Sequence, residues 1–187
     1  MTSPARLHSL TVGDRGSRVV LLHGLFGQGR NWNTIARGLA DKHRVTMVDL
    51  PHHGRSPWAD RFDYAEIVEQ VAAELDELDD VSVTLVGHSM GGKVAMLTAL
   101  LHPERVARLV VADMSPVDYQ RARDFAHYTS ALKALDLAAI DRREDADVLL
   151  APAVPNAAVR SFLLQNLRRD GDSWRWQANL ELSLIHI

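Results

Sequence analysis

The chain has 187 residues, 47% of them hydrophobic and 24% charged, with a formal net charge of −3 at pH 7. That size and balance suit one globular domain, or one domain with an insertion, able to bury a real core. The mixed, slightly acidic charge gives no basis for binding nucleic acid or an acidic membrane surface. The absence of cysteine excludes a disulfide framework, a thiolate zinc site and a cysteine nucleophile. No stretch has the length and apolar character of a signal peptide core or a membrane span, so a soluble cytoplasmic protein is expected.

Short apolar runs alternate with longer amphipathic stretches from about Arg6 to Asp113. Arg18-Val-Val-Leu-Leu22 reads as a buried strand ending at His23-Gly24, and Arg44-Val-Thr-Met-Val-Asp49 as a second, ending at Pro51. Asp63-Tyr-Ala-Glu66 has the form of a capping box, and Ile67, Val68, Val71, Ala72, Leu75 and Leu78 continue one helical face. Val81 to Val86 and Arg108 to Ala112 are the third and fourth strands, separated by a helix from Ser89 to Leu101 that His102-Pro103 ends. Runs this continuously apolar suit strands covered on both faces, and the alternation with helices implies an α/β fold built on a mostly parallel sheet.

After Asp113 the strand signals vanish and an all-helical block is expected. Phe125, Tyr128, Leu132 and Leu135 mark one helical face, and Asn156 reads as the N-cap of a helix carrying Val159, Phe162, Leu163 and Leu167. Asp170-Gly171-Asp172 is a turn leading to Trp174-Arg-Trp176. The expected organisation is a core over residues 1–114, a helical lid over 115–181, and a short tail over 182–187.

Residues 85–91 read Leu-Val-Gly-His-Ser-Met-Gly, a Gly-x-Ser-x-Gly that follows a strand and opens a helix. That context is the one in which the spacing means a nucleophile elbow, with Ser89 on a strained turn. Gly87 and Gly91 allow strand and helix to approach closely, and the N–H of Met90 opens the helix facing a developing oxyanion. The loop His23-Gly24-Leu25-Phe26-Gly27 alone reads as an ordinary glycine-rich strand exit. Paired with the elbow it supplies the second oxyanion donor, the N–H of Leu25, with His23 as a structural hydrogen-bonder. The stretch Gly87 to Lys93 also fits the opening of a phosphate-binding loop, but Val94 stands where that motif needs a hydroxyl. His52 and His53 are adjacent in a loop with no third ligand evident, so a structural turn is expected there and no metal.

His23-Gly-Leu-Phe-Gly27, Asn31-Trp32, His53-Gly-Arg-Ser-Pro57, Gly87-His-Ser-Met-Gly-Gly-Lys93, Asp113-Met-Ser-Pro-Val-Asp-Tyr119 and Phe162-Leu-Leu-Gln-Asn166 together resemble the α/β-hydrolase superfamily. Within it, the chain looks like the YbfF-type esterases of bacteria and their mitochondrial relatives, from about residue 17 to about 181. The resemblance implies hydrolysis of small to medium acyl esters or thioesters by Ser89 through an acyl-enzyme, with no cofactor and no metal. Lyase, acyltransferase and simple ligand-binding roles are the rival readings on the same fold. Phe26, Phe125, Tyr128, Trp174 and Trp176 are the candidate lining of an acyl pocket, with lid–core packing as the alternative role for most of them.

The superfamily order is serine, acid, then histidine. Of the nine histidines, His102 reads as a helix end and His127 as a lid residue. His186 falls in Leu182-Ser-Leu-Ile-His-Ile187, which coincides with the translation of CTG TCT CTT ATA CAC ATC, a transposase adapter end. The tail is therefore expected to be foreign to the parent protein and the base histidine to be absent from the chain. Asp113 is the candidate triad acid, with a purely structural role the alternative, and Asp118 is a candidate helix cap.

Overall fold

The computed structural model describes residues 6–117 and 123–182. The chain divides into two compact units, residues 1–117 and 118–187. The expected caps at Asp118 and the histidine at 186 lie outside the described residues.

The first unit is built on a five-stranded sheet in the order β1-β3-β2-β4-β5. Its strands are β1 (Ser9–Val12), β2 (Arg18–Leu22), β3 (Arg44–Val48), β4 (Val83–His88) and β5 (Val106–Ala112). Strands β2 to β5 run parallel, and β1 is antiparallel to β3. The central strand β2 is buried at every residue, which is why its sequence is continuously apolar after Arg18. Three helices accompany the sheet: α1 (Asn33–Leu39), α2 (Tyr64–Asp76) and α3 (Met90–Leu101). The crossover through α1 carries the chain from β2 to β3; the one through α2 carries it back past β2 to β4. Because parallel crossovers are right-handed, this reversal puts α2 and α3 on the opposite face from α1. Val19, Leu21, Val45 and Met47 pack with Ala36 of α1, while Val20, Leu22 and Leu85, of the other parity, are equally buried. The sheet is thus mostly parallel, with helices on both faces.

Local signals fixed the helix starts, with one difference in detail. Asp63 caps α2 by accepting from the N–H groups of Ala65 and Glu66, but the box is not closed. The Glu66 carboxylate instead pairs with Arg61, which offers it a charged donor in place of a backbone amide. Val81 and Ser82 precede β4 and are not in it.

The second unit contains α4 (Arg123–Lys133), α5 (Arg143–Leu150), α6 (Ala157–Leu163), and a hairpin of β6 (Leu167–Asp170) and β7 (Ser173–Trp176). The hairpin departs from the all-helical expectation. Leu167, read as part of a helix, begins β6 and is fully buried, and Leu135 lies beyond the end of α4. Gly171, at φ 61°, takes the first of the two turn positions, as a two-residue hairpin loop requires. Asn156 caps α6 as expected, accepting from Ala158 and Val159. The carbonyls of Leu164 and Leu167, just beyond α6, accept from the Arg143 guanidinium at 2.9 and 2.6 Å.

At the amino ends of the parallel strands, Arg18 and Arg44 stand side by side in register. Asp80 lies between them, at 2.8 Å from Arg18 Nε and 2.5 Å from Arg44 Nη2. Arg18 is buried, so removing the carboxylate leaves an uncompensated buried cation beside a second one. Asp80→Ala is expected to lower stability by about 3 kcal/mol, read as a shift of the urea midpoint with an unchanged slope.

Candidate active site

The reversal of crossover direction makes the gap between β2 and β4 a topological switch point, where the loops leaving the two carboxyl ends diverge. In open α/β sheets such a crevice is where ligands bind. The residues singled out by motif converge there. Ser89 follows β4 with φ 51° and ψ −120°, a conformation L-residues avoid. Its N–H donates to the carbonyl of Ala112 at the end of β5 at 3.0 Å, and its carbonyl accepts from Gly92 at 2.8 Å. The sharp reversal is thus held on both sides.

The glycines carry the close approaches. A Cβ on Gly91 would lie 2.5 Å from the His23 carbonyl oxygen and 2.6 Å from that of Leu22. One on Gly87 would overlap the carbonyl of Gly91. Gly24 brings the loop after β2 against the nucleophile: its Cβ would sit 3.0 Å from His88 Nδ1 and 3.1 Å from Ser89 Cβ. Met90, the first residue of α3, has a backbone N–H with no acceptor inside its helix. Leu25 and Met90 are both buried.

The loop after β2 is braced by His23. Its Nδ1 donates to the Gly24 carbonyl at 2.8 Å, and its Nε2 accepts from the N–H of Leu50 at 2.9 Å. These two bonds set one neutral tautomer and tie the loops after β2 and β3 together. Asp49 braces the same region, accepting from Gly29 at 2.6 Å, Arg55 at 2.9 Å and His8 Nδ1 at 3.1 Å. His53 donates from Nδ1 to the Pro51 carbonyl at 2.9 Å, and its ring meets that of His23 edge-on at 5.2 Å. Burial drives His23 down to a pKa of about 4, and burial with the neighbouring His23 drives His53 to about 3. Burial also lowers His52.

Asp113 follows β5 with φ 52°. Its side chain is 89% exposed, and an Oδ2 lies 3.8 Å from His88 Nε2. The other described histidines are engaged elsewhere: His43 with Ser17, His102 with Glu69, and His127 with the carbonyl of Ala153. Among the described residues no histidine is hydrogen-bonded to Ser89 Oγ. Of the candidate acyl-pocket residues, Phe26 is buried in the first unit with φ 58°. Phe125, Tyr128, Trp174 and Trp176 belong to the second unit, where Trp174 is covered by the Arg169 guanidinium at 4.9 Å.

One feature of the site left no trace in the motifs. Among the described residues four non-glycine residues have positive φ, and one follows each parallel strand: Phe26 after β2, His52 after β3, Ser89 after β4 and Asp113 after β5. Only Ser89 has a spacing signal that announces its backbone; phenylalanine, histidine and aspartate carry no such mark.

Residues 17–169 match the model of the alpha/beta hydrolase fold family. The chain belongs to that family. It is 38% identical over 178 residues to the sn-1-specific diacylglycerol lipase ABHD11 of Xenopus laevis, covering 92% of this chain and 57% of that protein. It is 33% identical to Esterase YbfF of Escherichia coli K12, over 86% of this chain and 62% of that one. A solved marine microorganism esterase superposes with a TM-score of 0.91 at 34% identity, covering 95% of this chain and 70% of its own. The α/β-hydrolase thus has esterase and lipase relatives, and spans less than two thirds of the length of the curated ones.

Gly87→Ala is expected to cost about 3 kcal/mol, as overpacking against backbone that cannot yield, measured by urea unfolding. The buried histidines set an acid limit. Unfolded imidazoles take up protons near pH 6.5, whereas the folded ones resist until about 4 and 3. Stability is therefore intact above about pH 6.5 and falls as pH drops below it. Each is expected to cost on the order of 1–2 kcal/mol by pH 5, and His53→Gln to flatten the profile of the unfolding midpoint between pH 7 and pH 5.

Proposed function

We propose that Ser89 is the nucleophile of a carboxylic-ester or thioester hydrolase acting on small to medium acyl groups. The observation that carries this reading is the strained Ser89 at the switch point, with the Gly24 loop against its Cβ. In this reading Ser89 Oγ attacks the acyl carbon, and the backbone N–H groups of Leu25 and Met90 receive the negative charge of the tetrahedral intermediate. Collapse expels the alcohol or thiol and leaves an acyl-serine, which water then hydrolyses.

Asp113 is the proposed acid of the triad. Its position beyond the strand adjacent to β4, its strained backbone and its exposed carboxylate favour a task that only a partner imidazole would complete. That imidazole is proposed to come from outside the described residues, on polypeptide present in the longer relatives, with 182–187 foreign to the parent protein. Residues 1–114 are proposed as the core and 115–181 as the lid segment, with Phe26 the acyl-pocket residue contributed by the core. The proposed substrate is a small-molecule acyl ester or thioester, and the proposed location is the cytoplasm.

The 187-residue chain is expected to turn over p-nitrophenyl butyrate at least ~10³-fold more slowly than Esterase YbfF assayed beside it, the scale of losing one triad member. Prolonged incubation is expected to leave one butyryl group, located by mass spectrometry on the Ser89 peptide and absent in Ser89→Ala. Acylation elsewhere, or turnover matching YbfF, would overturn the assignment of nucleophile or base respectively.

A further inference from the structure

His88 is the last residue of β4 and immediately precedes Ser89. Strand β4 lies between β2 and β5, so a side chain at its carboxyl end has the exits of both neighbours beside it. Side chains alternate in burial along β4, and His88 shares the face of Val86. On that face Val86 and Trp32 pack against Val19, Leu21, Val45 and Met47 on the α1 side. An apolar side chain would serve such packing as well, yet the residue here is an imidazole held on three sides. Towards β2, its Nδ1 stands 3.0 Å from the point that a Cβ on Gly24 would occupy, so the ring abuts the backbone of the loop after β2. The Trp32 ring meets it edge-on, at 83° and 6.5 Å between centroids. Towards β5, where Ala112 is the register partner of His88, its Nε2 lies 3.8 Å from Asp113 Oδ2. Among the described residues no other cationic or imidazole side chain stands within ion-pair reach of that carboxylate.

We propose that His88 is a positioning residue for Asp113: backed by Trp32 and the Gly24 backbone, its ring presents Nε2–H to Oδ2 and holds the carboxylate in one rotamer. The catalytic consequence rests on the proposed role of Asp113 as triad acid; the tether itself does not. Backbone strain fixes where the Asp113 side chain starts, but an exposed carboxylate still turns about its own side-chain bonds, and that freedom must be given up for a productive geometry. An imidazole wedged between two neighbours supplies the missing restraint. A carboxylate has two oxygens and about four lone-pair directions, so Oδ2 accepts from His88 while Oδ1 stays open to the imidazole that completes the triad. The carboxylate is then oriented by a donor behind it, as outer partners orient the ligands of a metal, and in turn orients the base. The donor is the part that packing alone does not require. Phenylalanine at position 88 keeps a ring against Trp32 and Gly24 without a donor; glutamine keeps an N–H at nearly the reach of Nε2 without the ring.

The test begins with the side chain itself, by nuclear magnetic resonance of the 187-residue chain. Three-bond couplings are expected to report a single Asp113 χ1 rotamer, averaged in His88→Phe and single again in His88→Gln, with the far-ultraviolet circular dichroism unchanged. The reciprocal variant Asp113→Asn alters an exposed side chain and is expected to move the His88 Nε2 resonance while leaving that of His102 in place. Averaged couplings in the unmodified chain, a single rotamer that survives His88→Phe, or a His88 resonance indifferent to Asp113→Asn would overturn the inference. A catalytic arm supplies imidazole in solution as the base and follows p-nitrophenyl butyrate hydrolysis above the level of Ser89→Ala. His88→Phe and Asp113→Asn are each expected to lower the imidazole-dependent rate roughly tenfold, the double variant no further, and His88→Gln to recover most of the loss. A rate that falls in Asp113→Asn but not in His88→Phe would overturn the positioning role. A rate indifferent to both, with the couplings as expected, keeps the tether and overturns Asp113 as the triad acid.

Discussion

The distance between α3 and the carboxyl ends of β2 and β4 is the constraint on which the rest of the site depends. Gly91 lies against the carbonyls of Leu22 and His23, and Gly87 against Gly91 itself. With any side chain at either position the helix would have to withdraw. Ser89 would then lose its bond to Ala112 across the sheet, and the loop carrying Leu25 would no longer flank the first turn of α3. Strand order supplies the crevice, and these two glycines let a helix N-terminus enter it.

Close approach alone leaves the loops free to move, and the buried polar residues prevent that. His23 spans from its own loop to Leu50, and Asp49 gathers amides from Gly29 and Arg55. A neutral imidazole suits the task because its two nitrogens donate and accept in fixed directions. The same burial that makes the brace rigid makes it refuse a proton, so the geometry of the crevice and the acid sensitivity of the fold have one cause.

The parallel strands and α2 and α3 were legible because burial on both faces, or on one helical stripe, leaves long apolar patterns. Strand β1 was not, since Ser9–Val12 is short and half exposed at an edge, and α1 buries only Ala36. The hairpin β6–β7 escaped because Arg168, Arg169 and Arg175 interrupt any alternation, although the Asp-Gly-Asp turn between its strands was plain. Within the site, Ser89 and its glycines were visible through spacing, and Asp113 through its place after a strand. The bonds from Leu50 to His23 and from Gly29 to Asp49 join residues twenty or more positions apart, a relation that no local pattern encodes.

The left-handed residues give the deepest connection between fold and site. Four neighbouring strands each end in one non-glycine residue at positive φ, at a cost of order 1–3 kcal/mol apiece. Among the described residues no non-glycine residue at the amino ends of these strands has positive φ; there Arg18 of β2 and Arg44 of β3 are tied instead by Asp80. Strain of this size persists only where surrounding packing over-determines it, and the fully buried β2 and the braced loops provide that packing. Two of the four, Phe26 and His52, are buried and shape the loops; the other two, Ser89 and Asp113, directly follow β4 and β5. Stability drawn from the core is thus spent at one edge of the sheet on holding strained backbone at the residues that follow the parallel strands.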